Sequence, residues 1–310
     1  MFGYIIRRLL VAIPTILIII TVAFFMMRAA PGSPFDTERP MPEEVRRNVE
    51  AHFGIDRPLH EQYFNYMADL ARFDFGPSLK FRDKTVAQII TEGFPVSATI
   101  GGLSILLALF VGSILGSIAA LRQNRPTDFG VMGFAMVGIT IPPFVMGPVL
   151  ALTLGLYLGW LPTGGLDPRL GMTPDRLILP VFTLALPQIA IISRLMRASM
   201  IEVLRSNYIR TAHAKGLPSR VVITRHALRA AILPLISYLG PASAALVTGS
   251  IVIEQVFQLP GIGRQFVTAA LQRDYTVVMG VVILYATLII TLNLLADLLY
   301  GVLNPKVRYE

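Results

Sequence analysis

Six apolar stretches, each near the length needed to cross a bilayer, limit this chain more than any other feature. They lie at about 9–30, 97–121, 132–158, 177–193, 231–253 and 277–301. A spanning helix needs roughly 20 apolar residues, since its backbone polar groups must be satisfied within the segment. With 54% hydrophobic and only 15% charged residues over 310 positions, a soluble core is excluded, and the expected fold class is all-α integral membrane. The first stretch follows Arg7 and Arg8, as a signal peptide would. Its run LLVAIPTILIIITVAFFMM is longer than a signal's apolar region, and further spans follow it, so it reads as a retained helix.

The basic residues set count and orientation. The 132–158 stretch contains Pro142-Pro143 and is long enough to suggest two helices. Lys and Arg concentrate in cytoplasmic loops, and six spans place Arg7, Arg8, Arg122, Arg125, the 194–229 loop, Lys306 and Arg308 together on that side. A seventh span would throw the loop outside. Residues 142–143 are therefore expected to kink the third span, and both termini to be cytoplasmic. The loop holds eight basic side chains, Arg194, Arg197, Arg205, Arg210, Lys215, Arg220, Arg225 and Arg229, against the single acid Glu202. The formal charge of +8 is accordingly read as topology, with no nucleic-acid partner, and the absence of cysteine removes disulfides and thiolate metal sites.

The expected organisation is an N-terminal transmembrane helix at 1–31, a small extracytoplasmic subdomain at 32–95 and a membrane core at 96–310. The subdomain carries eight basic and eleven acidic residues, with helix-like stretches PEEVRRNVEAHF and LHEQYFNYMADLA before the turn-rich FDFGPSLKFRDK. It is too short to fold alone and is expected to pack on the outer ends of the spans.

Chemistry inside a membrane needs ionisable groups within the bundle. Glu254 and Asp297 lie near span ends, and only Thr140, Gln188, Thr248 and Asn293 lie deeper. No proton relay can be assembled from these, and Ser104, Ser193 and Asp297 have no evident partner for intramembrane catalysis, so an ion-driven secondary transporter stays as the weaker alternative and an intramembrane enzyme falls well below. No Gly-Lys pair exists for a Walker A loop, and His60-Glu61 has no histidine at 64 to complete a zinc-binding pair. Catalytic and metal sites are therefore not expected, and energy for any work must arrive from another subunit.

Within the cationic loop, residues 200–215 have helix-forming composition, Gly216 suits a helix C-terminus, and Leu217-Pro218-Ser219 restarts a second helix through Ala227. Two short helices would lie across the cytoplasmic face. Small Thr211, Ala212 and Ala214 interrupt the charges, permitting close approach of a partner's backbone. His213 and His226 read as exposed or capping side chains. Gly112 and Gly116 form a small-xxx-small pair suited to packing within the bundle.

This loop resembles the cytoplasmic EAA motif of ABC importer permeases, Glu-Ala-Ala, three residues, then Gly. Arg210-Thr211-Ala212 stands at the Glu-Ala-Ala position and Gly216 at the glycine. The departure at the glutamate is similar to the variant of B-type permeases of oligopeptide and dipeptide importers, R-T-A-x-A-K-G followed by H-x-L-R, matched here at 210–216 and from His226 to Arg229. The opening RRLLVAIPTILIIITVAFFMMRAAPGSP, the segment FDFGPS and the ending with LPGIGR, RDY and LLADLLYGVLNPKVR also look like that family. The resemblance implies six helices in the type I ABC importer permease arrangement, in a bacterial inner membrane. It implies a second homologous permease, two ATPase subunits that bind ATP and Mg in place of any cofactor in this chain, and an extracytoplasmic peptide-binding protein. Helix 202–216 would sit in a groove of an ATPase, with Thr211, Ala212, Ala214 and Gly216 giving close packing and Arg210 and Lys215 pairing with acids. Peptides are the implied substrate, with dipeptides, nickel or another small solute as alternatives.

Overall fold

The computed structural model describes residues 2–29, 42–81, 83–167 and 169–303. Lys306, Arg308, the terminal Asn-Pro-Lys pattern and residues 32–41 of the expected outer subdomain lie outside the described residues. Among those described the chain is almost wholly helical. The elements used below are α1 (Phe2–Ala29), α2 (Glu43–His52), α3 (Leu59–Ala71), α4 (Val86–Leu121), α5 (Pro126–Thr140), α6 (Pro143–Leu150), α7 (Pro174–Leu204), α8 (Asn207–Ala214), α9 (Ser219–Val221), α10 (Leu228–Ala231), α11 (Leu233–Val247), α12 (Ile251–Val256), α13 (Ile262–Leu271) and α14 (Tyr275–Leu303). π-Helical turns at Ala151–Tyr157 and Val222–Ala227 extend α6 and α9.

Five segments are long and apolar enough to cross a membrane: Leu10–Ala29, Val86–Leu121, Pro174–Leu204, Leu233–Val256 and Tyr275–Val302. The sixth is a pair, Pro126–Thr140 and Pro143–Tyr157, bent by 100°. The count of six therefore holds with the pair taken as one span, but the expected kink is a break. Pro142 and Pro143 have no N–H to offer the carbonyls of Gly138 and Ile139, and the residue before a proline is driven out of the helical region. Ile141 accordingly sits at φ −96°, ψ 115°.

The bundle is built around α7, 56% of whose apolar window is buried against 11% for α1. Glycine decides how closely α4 approaches it. A Cβ at Gly116 would collide with the Ser193 carbonyl, and one at Gly112 would stand 2.8 Å from the Ile192 side chain, so the pair packs within this bundle. Ile192, Met196, Met200, Leu235, Phe257 and Leu259 form the fully buried centre. On the least buried span, Arg8 pairs with Asp297 at 2.6 Å and ties α1 to α14.

Helix α4 has 36 residues, about 54 Å at ~1.5 Å per residue, so it overruns a hydrocarbon layer of ~30 Å. It starts at Val86, within the stretch assigned from sequence to the outer subdomain, because Thr85 and Gln88 close a reciprocal cap there: Gln88 N–H donates to Thr85 Oγ1 at 3.2 Å, and Thr85 N–H to Gln88 Oε1 at 2.9 Å. Helix α3 packs on α1 through aromatic rings, Tyr63 lying 5.4 Å from Phe24 and 5.5 Å from Phe25. The sequence-distant FDFGPS and RDY motifs meet. Asp274, fully buried, accepts from Ser78 Oγ at 2.5 Å and Leu79 N–H at 3.2 Å, while Thr276 Oγ1 donates to the Pro77 carbonyl at 2.8 Å.

Candidate coupling surface

Helix α7 does not end at 193 but runs through the first third of the cationic loop to Leu204. The single helix expected over 200–215 is thus divided. Ser206 is extended at φ −70°, ψ 154°, and its hydroxyl donates to the Val203 carbonyl at 2.6 Å, a local bond that competes with helix continuation. What remains of the expected 202–216 helix is the tail of α7 and the two-turn α8.

Ile209 and Ala212, three residues apart, form the buried face of α8, 2% and 7% exposed. They join the same apolar cluster as Val222 and Ala227. Ala212 therefore packs against its own chain rather than on the outward face with the other small residues, because the helical period turns it inward with Ile209. Arg210, Thr211, His213, Ala214, Lys215 and Gly216 are exposed.

The end of α8 is a glycine-dependent cap. Gly216 stands at φ +76°, its N–H donates to the His213 carbonyl at 2.9 Å, and Leu217 N–H reaches the Ala212 carbonyl at 3.3 Å, the bond pair of a Schellman motif. A side chain is strained at this φ by about 1–2 kcal/mol. Gly216→Val should therefore loosen this turn while sparing the bundle: trypsin is expected to cut after Lys215 about tenfold faster, with thermal unfolding almost unchanged. Equal cleavage rates would remove the cap from the account.

Beyond the turn, Leu217-Pro218-Ser219 restarts the chain as expected, but the second helix passes Ala227 and continues to Ala231. Val222, Ala227 and Ala231 are fully buried, while Arg220, Arg225, His226 and Arg229 face outward. Three of the eight loop cations have contacts within this chain, among them Arg194, whose Nη2 donates to Met136 Sδ at 3.4 Å. Arg197 Nε donates to Asp128 Oδ1 at 2.7 Å and Nη2 to Oδ2 at 2.6 Å, and Arg205 Nη2 donates to Gln123 Oε1 at 3.1 Å. Arg210, Lys215, Arg220, Arg225 and Arg229 make no ion pair among the described residues. The result is a small-residue surface ringed by unneutralised cations, suited to an acidic protein partner.

Sequence reasoning missed three buried carboxylates. Asp128 is 1% exposed at the start of α5; its position in the first helical turn after Pro126 was a signal, but nothing in the chain linked it to Arg197. Glu254 was placed near a span end and is 2% exposed, accepting from Ser97 Oγ at 2.6 Å and Arg264 N–H at 2.8 Å. Ser97 Oγ in turn accepts from Ile262 N–H at 2.9 Å. A Cβ on Gly261 would overlap the Glu254 carboxylate, so the glycines of LPGIGR were the available sign that something had to fit against them. Asp274 was visible only as part of the RDY motif. Among the described residues no three histidine, aspartate or glutamate side chains come together as a metal site.

The family described as binding-protein-dependent transport system inner membrane component matches residues 112–309, about two thirds of the chain and all of the cationic 194–229 loop. The chain belongs to that family. Its residues 1–101 match the companion N-terminal family of the same transport-system membrane components. The chain is 50% identical over 309 residues to the oligopeptide transport system permease protein OppB of Haemophilus influenzae, with all of both chains covered. Identity to OppB of Escherichia coli K12 is also 50% over the full length of both. The dipeptide transport system permease protein DppB of Bacillus subtilis is 42% identical, over 98% of this chain and 97% of its own. Membership and the apolar helices together make this a multi-pass inner-membrane protein of a binding-protein-dependent transport system.

Proposed function

We propose that this chain is one transmembrane half of an ATP-driven oligopeptide importer, coupled to a cytoplasmic ATPase through α8. Full-length similarity to permeases named for oligopeptides carries the substrate class. The exposed Arg210, Thr211, Ala214, Lys215 and Gly216 face, held on a buried Ile209–Ala212 stripe, supports the coupling role. Dipeptides are the second reading, favoured by the similarity to DppB. A second permease completes the path, a binding protein delivers peptide on the opposite side, and the ATPases hold ATP and Mg. The α8 end and both termini then face the cytoplasm, where positive residues concentrate.

Because α7 continues into the break before α8 without an intervening loop, a push on α8 reaches the central helix of the bundle, and the spans rock as a rigid body between inward and outward openings. The test is the double charge reversal Arg210→Glu with Lys215→Glu in the assembled complex. These side chains are exposed, so the variant is expected to insert and fold normally, to retain its ATPases poorly after mild-detergent extraction, and to lose more than about tenfold in peptide uptake. Unchanged uptake and ATPase retention would sink the coupling assignment. Recovery of the unaltered chain as a homo-oligomer with no ATPase would sink the importer reading as a whole.

A further inference from the structure

The break between α5 and α6 lies at membrane depth, and its backbone is left incomplete. α5 has 15 residues, about 22 Å at ~1.5 Å each, so a chain entering near Pro126 reaches Thr140 well inside a layer of ~30 Å. Pro142 and Pro143 cannot donate to the carbonyls of Gly138 and Ile139. After the turn the first N–H groups are used locally, Val145 and Met146 both donating to the Pro142 carbonyl at 2.9 and 3.0 Å, and Phe144 makes no bond to the carbonyl of Thr140. Three successive carbonyls are thereby released from the helix. Gly138 abuts the Leu186 carbonyl of α7, next to Pro187, while Ile139, Thr140 and Pro142 are exposed.

Irregular backbone at this depth is not found facing lipid; it is covered by protein or lines water. None of the described residues covers Ile139, Thr140 and Pro142. We infer that the α5/α6 break lines the aqueous path of the importer and offers the carbonyls of the exposed Ile139 and Thr140, but not that of the buried Gly138, to the main-chain N–H groups of passing peptide. The inference rests on the importer reading above. Main-chain N–H groups are common to peptides of every sequence, so acceptors of this kind hold cargo without selecting side chains. Ionisable groups in the path would discriminate; Asp128 and Glu254 are buried in other contacts, and Asp297 is paired with Arg8.

The chain has no cysteine, so single cysteines report without background. Thr140→Cys is compared with Ile18→Cys, the latter at a position 63% exposed on the least buried span, in the full complex in native membranes with a charged, water-soluble thiol reagent. The thiol at position 140 is expected to react at least about tenfold faster than the one at position 18, and tri-alanine delivered by the binding protein to slow it several-fold. The double substitution Pro142→Ala with Pro143→Ala, added to Thr140→Cys, restores two N–H donors and is expected to remove both effects, with the complex still assembled. Reaction at position 140 no faster than at position 18 overturns the inference, and reaction indifferent to tri-alanine overturns the peptide contact. Uptake of tri-alanine by the unsubstituted complex, measured in the same membranes, separates these results from failure of the importer reading: without that uptake, the proposed function itself falls.

Discussion

Replacing Arg197 by methionine should destabilise the folded protein by about 3–5 kcal/mol, the range for breaking a buried ion pair by removing one partner. The Asp128 side chain is 2% exposed and Arg197 28%, so the guanidinium reaches solvent at one edge while the carboxylate does not. In the intact pair both carboxylate oxygens accept from the guanidinium, at 2.7 and 2.6 Å, and Oδ2 also accepts from Asn124 N–H at 2.9 Å. Methionine fills much of the same volume and leaves an uncompensated charge beside α7. Paired with Asp128→Asn, the same substitution should recover a large part of the loss, since the stranded charge is gone. Thermal unfolding of the purified variants in one detergent distinguishes these cases. A single variant as stable as the double one would show that the stranded carboxylate costs little, and one as stable as the unaltered protein that the pair contributes little.

Glu254→Leu should detach the LPGIGR segment from α4. The carboxylate satisfies Arg264 N–H and the Ser97 hydroxyl, which itself holds Ile262 N–H. Each donor left buried and unpaired costs about 1–3 kcal/mol. The close fit of Gly249, Gly261 and Gly263 around this side chain prevents leucine, branched differently, from occupying the same space without displacing backbone. Hydrogen exchange at residues 262–265 is expected to speed up by about a hundredfold, while the contact of α4 with α7 around Gly112 and Gly116 keeps its protection. Glu254→Gln preserves shape and one acceptor and should fall between the two. Unchanged exchange in the leucine variant would mean that apolar packing of Ile262 and Phe257 holds the segment unaided.

Most of the architecture was legible because a bilayer leaves few choices. Apolar length located the spans, although α4 begins eleven residues before the expected 97 and α7 ends eleven residues after the expected 193; the asymmetry of Lys and Arg was the reason for reading the 132–158 stretch as one span, which the structure breaks by 100°. Gly216 was readable as a helix terminator since the left-handed conformation there favours glycine. Local capping was harder. The break at Arg205-Ser206 depends on a hydroxyl choosing a carbonyl three residues back, and a window of helix-forming composition does not show that choice. The facing of α8 was also hidden: Ala212 lies inward with Ile209, yet in sequence it belongs equally well to the small-residue surface of Thr211 and Ala214.

The helical, membrane-spanning character of the chain and the resemblance to a transport family follow from length, composition and motif, which are properties of contiguous residues. Other features exist only once the chain is folded. Asp128 meets Arg197, Glu254 meets Ser97 of another span, Asp274 joins two distant motifs, and the third span turns through 100°. A carboxylate is stable in such surroundings only when specific donors arrive from elsewhere in the chain, and no local pattern encodes which donors those will be.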